Sequence, residues 1–229
     1  GEKTSEETMQ ILVEFVKSIG KVPVRVEKDV PGFIANRVAA PRALLIKAIL
    51  DKNIATPEEV DATLLKAGFP MGPFELMDYV GIDVHYNALK YYEKTLSPEY
   101  KPAKLIEDMV KEGKLGAKTG KGWYDWSAGR PKIDLSKATN KIDPLDFHIV
   151  EINEAVKLVE MGVAKPEDID TAMKLGFNRD RGPFEILKGL EIEEVVKRLK
   201  KLSKEYGFRS FEPAEMLRSK KILEILKGK

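Results

Sequence analysis

The residues best suited to chemistry lie in one short stretch, residues 31–37, which read Pro-Gly-Phe-Ile-Ala-Asn-Arg. Proline is tolerated in the first turn of a helix because its missing N–H would lack a partner there, and glycine permits the close approach of a ligand or another backbone. Asn36 offers two donors and one acceptor and carries no charge, so it can orient a carbonyl or hydroxyl group without titrating. The alternative is a helix start whose Asn36 and Arg37 only tie down neighbouring loops.

A second candidate stretch, residues 116–126, reads Gly-Ala-Lys-Thr-Gly-Lys-Gly-Trp-Tyr-Asp-Trp. Its spacing excludes a phosphate-binding P-loop, which needs four residues between its glycines and a Ser or Thr after the lysine. Here three residues separate Gly116 from Gly120, and Gly122 follows Lys121. The pattern indicates a tight turn followed by an aromatic plug into the core.

Other catalytic and metal-binding patterns are missing from the sequence. His85 and His148 are the two histidines, each without a metal-ligand spacing or an evident carboxylate partner. There is no cysteine, no Gly-x-Ser-x-Gly and no Gly-x-Gly-x-x-Gly dinucleotide fingerprint. We therefore predict no metal site and no dinucleotide fold within these residues.

Composition describes a soluble globular chain: 229 residues, 43% hydrophobic and 33% charged. A formal net charge of +2 argues against nucleic acid as a partner, since phosphate binding shows as a strong basic excess. No apolar run reaches membrane-spanning length and no signal-peptide core is present, so we expect a cytoplasmic protein. A single glutamine, no cysteine and abundant Lys and Glu are typical of thermophilic proteins.

Helical periodicity dominates the chain. A first helix is expected from a capping box at Thr4 and Glu7 to Gly20, followed by a short strand over Val22–Val26. A buried helix follows Pro31, with a kink at Pro41 and a left-handed stop at Asn53. Further starts are expected at the Thr56-Pro57-Glu58-Glu59 capping box and at Pro73, with helices near 83–95 and 102–112.

The second half of the chain echoes the first. Residues 55–61 are echoed by 164–170 and residues 72–76, Gly-Pro-Phe-Glu-Leu, by 182–186, Gly-Pro-Phe-Glu-Ile. Two matching blocks at nearly one offset indicate internal duplication, and we expect the two copies to pack face to face. Glu75 and Glu185 occur in both copies, so we interpret them as structural acids at helix N-termini. The second copy has no counterpart of residues 31–37.

Together these motifs resemble the C-terminal helical region of 3-hydroxyacyl-CoA dehydrogenases. The resemblance rests on residues 21–24, 31–37, 60–61, 70–76 and 118–124 in this order. It implies a mainly α fold: two tandem copies of a helical 6-phosphogluconate-dehydrogenase-C-terminal-like domain forming a pseudo-dimer, with a leftover N-terminal helix and strand. The implied boundaries are 1–28 for the remnant of a Rossmann-type NAD domain, 29–127 for the first helical domain, 128–144 for a linker and 145–229 for the second repeat.

The resemblance also implies roles for individual residues. Asn36 would be catalytic, hydrogen-bonding the reacting end of the substrate. Phe33, Met71 and Pro73 would line the acyl and nicotinamide ends, and Lys118 would contact NAD. The family oxidises 3-hydroxyacyl-CoA in fatty-acid β-oxidation with a His general base oriented by a Glu. These two residues and the NAD domain lie upstream of Gly1 in the family, so we expect this chain alone to be inactive.

The resemblance further implies an acyl-CoA substrate, a missing NAD-binding domain as partner, and larger members that continue into an enoyl-CoA hydratase domain. The sequence leaves open whether the chain forms a homodimer. This chain departs from the family in carrying Asn153-Glu154-Ala155 only in its second repeat, where the first has Leu44-Leu45-Ile46. Two alternatives stand beside this interpretation: a non-enzymatic helical interaction module, and a sister dehydrogenase acting on sugar-derived hydroxy acids.

Overall fold

The computed structural model describes Gly1 and residues 3–227. Within these residues the chain consists of α-helices and short 3-10 helices with no β-sheet, which confirms the mainly α class. The α-helices in chain order are α1 Glu6–Ser18, α2 Ala35–Ala39, α3 Pro41–Asp51, α4 Pro57–Lys66, α5 Pro73–Val80, α6 Ile82–Thr95, α7 Lys104–Lys111, α8 Pro144–Glu160, α9 Pro166–Phe177, α10 Pro183–Leu187, α11 Ile192–Tyr206, α12 Glu215–Arg218 and α13 Lys221–Leu226.

The start of α4 follows from its own sequence. The Thr56 hydroxyl accepts a hydrogen bond from the Glu59 N–H at 3.2 Å, and the Glu59 carboxylate accepts one from the Thr56 N–H at 2.7 Å. Pro57 occupies the first helical position, where no N–H is needed. The predicted capping box is confirmed, as are the start at Pro73 and the left-handed stop at Asn53, whose φ is 50°.

The segment around Pro41 contains a break where a kink was expected. α2 ends at Ala39 and α3 begins at Pro41, because proline cannot donate the i→i−4 hydrogen bond that would continue the helix. α2 itself begins only at Ala35. Before it, Gly32 and Phe33 take φ values of 83° and 51° in a turn.

The N-terminal segment differs from the prediction in two details. Ser5, rather than Thr4, caps α1: its hydroxyl accepts from the Thr8 N–H at 3.1 Å. The strand expected over Val22–Val26 is absent, and residues 21–26 have no regular secondary structure. A lone strand has no neighbour to pair with its N–H and C=O groups, which accounts for the difference.

Contacts between Cα atoms divide the chain into two compact units. The first unit comprises residues 1–40, 151–199 and the residues from Pro213 onward. Its core includes Ile34, Val38, Ile152, Val156, Ile169 and Phe184. The second unit comprises residues 41–150 and 200–212, and its core includes Leu44, Leu64, Phe74, Ile82, Ile106 and Phe147. The domain boundaries expected from the sequence stay a prediction.

Residues 128–144, which the sequence presents as a linker, are attached to α4 within the second unit. They contain a 3-10 helix, Leu135–Lys137, that packs on α4. The Thr139 N–H donates to the Thr63 hydroxyl at 2.8 Å, and the Lys141 ammonium lies 2.9 Å from the Glu59 carboxylate. This segment is therefore ordered by side chains of α4 despite its small apolar content.

Candidate functional site

In residues 31–37 the polar side chain of Asn36 is exposed to solvent, while neighbouring apolar side chains are buried. Ile34 and Val38 are buried in the first unit, at 3% and 0% exposure, whereas Asn36 is exposed. Within the described residues the Asn36 amide has no hydrogen-bond partner. Phe33 lies 59% exposed beside it. Both side chains are therefore available to a ligand, and Asn36 is not sealed in the core.

Arg37, the residue after Asn36, is held by the second half of the chain. Its Nε donates to the Glu154 carboxylate of α8 at 2.5 Å, and the two side chains are 14% and 5% exposed. The sequence analysis did not foresee this pair, because the two residues stand 117 positions apart. The ordering of Arg37 by a buried carboxylate fixes the residue directly after Asn36.

Met71 and Pro73 lie in the second unit at the start of α5, above a buried carboxylate. Pro73 is buried and Met71 is half-buried. The Asp61 carboxylate accepts hydrogen bonds from the Phe74 N–H at 3.0 Å, the Glu75 N–H at 2.8 Å and the Tyr124 hydroxyl at 2.8 Å. Burial raises the pKa of Asp61 to about 7, although these donors oppose the rise. Asp61 therefore locks the turn that carries both predicted wall residues.

The loop 116–126 is anchored to α5 by a second buried carboxylate, Asp78. Its oxygens accept from the backbone N–H groups of Trp123 and Tyr124, both at 2.9 Å, and from the Trp126 indole at 2.8 Å. A Cβ at Gly122 would lie 2.0 Å from Asp78 Oδ1, so only glycine allows this approach. The Trp123 ring meets Phe74 edge-on at 4.8 Å, which fits the predicted aromatic plug.

Lys118 projects from this loop across the junction of α5 and α6. Its ammonium lies 2.5 Å from the Asp83 carboxylate, and both side chains are partly exposed. The pair lies against Gly81, where an added Cβ would meet Asp83 Oδ1 at 2.9 Å and Lys118 Nζ at 3.1 Å. The hydrogen bond from Lys118 lowers the pKa of the Asp83 carboxyl. Lys118 is thus an accessible cation with a defined resting position.

Phe33 and Asn36 accordingly belong to the first unit, and Met71, Pro73 and Lys118 to the second. Sequence reasoning missed Asp61, Asp78, Asp83 and Glu154. Asp61 carried a usable signal, because the echoed block 164–170 contains Asp170 at the same place. Glu75 and Glu185 are structural as expected, but Glu75 pairs with Arg130 and Glu185 with Lys174. Asp61 and Asp170 accept the N–H groups of the first helical turns, and the Glu185 carboxylate accepts the Gly182 N–H at 2.9 Å.

The two histidines and the acidic side chains form no second site among the described residues. Burial lowers the pKa of His85 to about 4, and its Nε2 has no hydrogen-bond partner in the described part of the chain. The His148 ring stacks on Phe69 with centroids 4.7 Å apart. Among the described residues, no three His, Asp or Glu side chains stand close enough to hold a metal ion. None of the described helices combines the length and apolarity needed to cross a membrane.

The helical fold and these motifs define a family. The model of the 3-hydroxyacyl-CoA dehydrogenase C-terminal domain matches residues 32–126 and 148–224. Because these segments make up more than half of the chain, the protein belongs to the 3-hydroxyacyl-CoA dehydrogenase family.

Individual relatives agree with this assignment. The chain is 30% identical to the fatty acid oxidation complex subunit alpha of Vibrio campbellii, covering 91% of the chain and 31% of that protein. It is 27% identical to the 3-hydroxyadipyl-CoA dehydrogenase of Escherichia coli K12, covering 98% of the chain and 66% of the relative. The crystal structure of 3-hydroxybutyryl-CoA dehydrogenase from Escherichia coli K12 superposes with a TM-score of 0.82 at 27% identity over 96% of the chain and 66% of that structure. The chain thus spans about one third to two thirds of the length of these relatives.

Proposed function

We propose that this chain is the substrate-facing helical part of an NAD-dependent 3-hydroxyacyl-CoA dehydrogenase that oxidises 3-hydroxyacyl-CoA to 3-ketoacyl-CoA in cytoplasmic fatty-acid β-oxidation. The observation that carries the proposal is the exposed amide of Asn36 at the start of α2, which has no hydrogen-bond partner among the described residues and whose neighbours Ile34 and Val38 are buried. A neutral amide held in this way can donate to the oxygen at C3 of the substrate without changing charge with pH.

Phe33 in the first unit and Met71 in the second each offer a side chain that suits contact with an acyl chain. Phe33 offers an exposed ring, and Met71 offers a flexible thioether that adapts to different apolar surfaces. Pro73 fixes the first turn of α5, and Asp61 holds that turn in place. In the first unit we assign Asn36 to the reacting oxygen and Phe33 to a wall of the substrate site beside it, whereas the roles of Met71 and Pro73 in the second unit stay predictions.

NAD would supply the hydride acceptor when bound. Lys118 fits such a group from this chain's side, because its ammonium is partly exposed and already oriented over Gly81 by Asp83. We propose that most of the cofactor is held by a dinucleotide-binding domain beyond residues 1–229. The chain covers 66% of the 3-hydroxyadipyl-CoA dehydrogenase, so that relative contains further residues outside the matched part, as this proposal requires.

The face of α1 suits contact with that domain. No residue of α1 is buried, and Ile11, Leu12, Phe15 and Ile19 are 50–61% exposed. An apolar helix face of this size normally packs against another element. The same face also favours the second candidate, a non-enzymatic interaction module, so the two functions must be separated by ligand binding.

Calorimetry on the purified chain separates the candidates. We expect acetoacetyl-CoA to bind the wild type and to bind Asn36→Ala about tenfold more weakly, the loss of roughly one hydrogen bond. Asn87→Ala, which removes an exposed amide on α6, is the matched control. Equal affinities for the two variants would remove the assignment of Asn36. No acyl-CoA binding would favour the interaction module, and tight binding of free 3-hydroxybutyrate would favour the hydroxy-acid dehydrogenase.

A further inference from the structure

We infer that Glu154 is a positioning residue for Asn36, so that the second copy of the echoed sequence supplies the anchor for the motif that only the first copy carries. The role given to Asn36 rests on the proposed function, whereas the anchoring itself rests on geometry within the first unit. Glu154 itself is not assigned a contact with the substrate. It acts through Arg37.

Arg37 and Glu154 form a buried ion pair. Arg37 Nε donates to Glu154 at 2.5 Å, and the other Glu154 oxygen lies 3.6 Å from the Lys157 ammonium. Removing one member of a buried pair leaves an uncompensated charge, which is strongly unfavourable. The guanidinium of Arg37 therefore has one favourable place, on the surface of α8.

The short helix α2, which carries Asn36, is not stable through its local structure alone. α2 has five residues, and helices this short are not stable by themselves in water. It follows a turn with positive φ at Gly32 and Phe33, a conformation that is costly for a residue with a side chain. Local preferences therefore do not explain the defined geometry of residues 31–37.

Contacts with α8, α9 and the turn between them hold the chain on both sides of Asn36. Upstream, the Glu27 N–H donates to the Val163 carbonyl at 2.8 Å, and the Lys28 ammonium donates to the Met161 carbonyl at 2.5 Å. Downstream, Arg37 reaches Glu154. The Ala35 methyl lies 3.5 Å from the place of a Cβ on Gly176 of α9. Residues 27–37 are thus held from both ends by α8, α9 and the turn that joins them.

A matched control lies on the same helix. Glu151, three residues before Glu154 on α8, pairs with Arg179 at 2.7 and 2.9 Å with exposures of 2% and 9%. This pair is as buried as the Arg37–Glu154 pair and belongs to the same unit, but neither member belongs to residues 27–37. Glu151→Gln and Glu154→Gln therefore make the same chemical change, and only Glu154→Gln releases the motif.

Hydrogen exchange on this chain tests the anchoring. In Glu154→Gln we expect amides of residues 34–38 to exchange at least tenfold faster than in the wild type, while amides of α13 in the same unit change much less. Glu151→Gln should not single out residues 34–38. Unchanged exchange in Glu154→Gln, or the same local increase in both variants, would overturn the inference. Arg37→Lys, which keeps the charge but loses the guanidinium geometry, tests the pair from the other side if Glu154→Gln does not fold.

Calorimetry with acetoacetyl-CoA then tests the consequence for the ligand. We expect Glu154→Gln to weaken binding about as much as Asn36→Ala, and the double variant to bind no more weakly than Asn36→Ala alone, because both changes remove the same contact. Glu151→Gln should bind like the wild type. Additive losses would refute action through Asn36. Failure of every form to bind acetoacetyl-CoA would count against the proposed function, and hydrogen exchange would still decide the anchoring.

Discussion

Asp170 makes in the first unit the same two backbone hydrogen bonds that Asp61 makes in the second. Asp170 accepts from the N–H groups of Phe184 and Glu185 at 2.8 and 3.1 Å, as Asp61 does from those of Phe74 and Glu75. In each case a buried carboxylate of one helix receives the N–H groups at the start of the helix that begins with Gly-Pro-Phe-Glu. Two residues of the echoed blocks thus share one structural task.

This arrangement predicts a large stability loss for Asp61→Ala. The substitution leaves three donors without an acceptor in the second unit, including two buried backbone N–H groups, and should lower the free energy of unfolding by about 2–4 kcal/mol. Asp134→Ala is the control, because Asp134 caps the exposed Ser136 N–H and should cost less than about 1 kcal/mol. Urea unfolding measures both. Equal losses of unfolding free energy in the two variants would show that burial of the Asp61 hydrogen bonds adds nothing to stability.

Gly72, before Pro73, and Gly182, before Pro183, should both tolerate substitution poorly. A Cβ at Gly72 would lie 2.2 Å from Asp61 Cγ, and one at Gly182 would lie 2.3 Å from Asp170 Oδ1. Gly72→Ala should therefore destabilise the protein by about 1–3 kcal/mol through overpacking. Gly189→Ala, whose Cβ would meet nothing nearer than 3.5 Å, is the control. Thermal unfolding of the two variants checks this, and a Gly72→Ala protein as stable as Gly189→Ala would contradict it.

His85, whose Nε2 atom is buried, should make the fold sensitive to mild acid. Burial lowers its pKa from the usual 6.5 to about 4, so between these values the unfolded chain binds a proton that the folded chain does not. The contribution of His85 to stability is therefore complete above pH 6.5 and is lost as the pH falls toward 4.

The His85 contribution is best measured as a difference, because burial raises the pKa of Asp61 to about 7 and gives a slope of opposite sign. We expect the free energy of unfolding of the wild type minus that of His85→Gln to be constant above pH 7 and to decrease from pH 6.5 to 4. A difference that does not change with pH would contradict a His85 that stays neutral in the folded chain.

The Lys118–Asp83 pair can be tested through the carboxyl group. Lys118→Met removes the hydrogen bond that lowers the pKa of Asp83, so this pKa should rise toward its usual value of 3.8. Lys114→Met is the control, because Lys114 pairs with Glu112 instead. Carbon NMR titration of the aspartate carboxyls measures the effect. An Asp83 pKa that is the same in both variants would show that the pair does not form in solution.

The purified chain should not turn over substrate. We expect no formation of NADH from 3-hydroxybutyryl-CoA and NAD, because the general base and the principal NAD site are proposed to lie outside these residues. Loss of a general base alone typically costs about 10²–10⁴ in rate. Absorbance at the NADH band measures turnover, with a heat-denatured sample as the blank. Turnover above that blank would refute this division of labour.

Much of the helical architecture could be predicted because its causes are local. The capping box of Thr56 and Glu59 spans four residues, and Pro57 and Pro73 favour the first turns of α4 and α5 wherever those helices pack. The same local rules also misplaced features: they predicted a strand at Val22–Val26, an α1 cap at Thr4 instead of Ser5, and one kinked helix where α2 and α3 are separated at Ala40. A strand requires a neighbour, and local periodicity does not supply one.

The sequence by itself determined the helical class, the family and the residue types at positions 31–37, because these depend on short motifs in order along the chain. Tertiary structure decided which side chains hold them: Glu154 for Arg37, Asp61 and Asp78 for the start of α5 and the loop at 116–126, and Asp83 for Lys118. The reason is physical. A buried charge must find its partner wherever the folded chain brings one, and for Arg37 that partner stands 117 residues away.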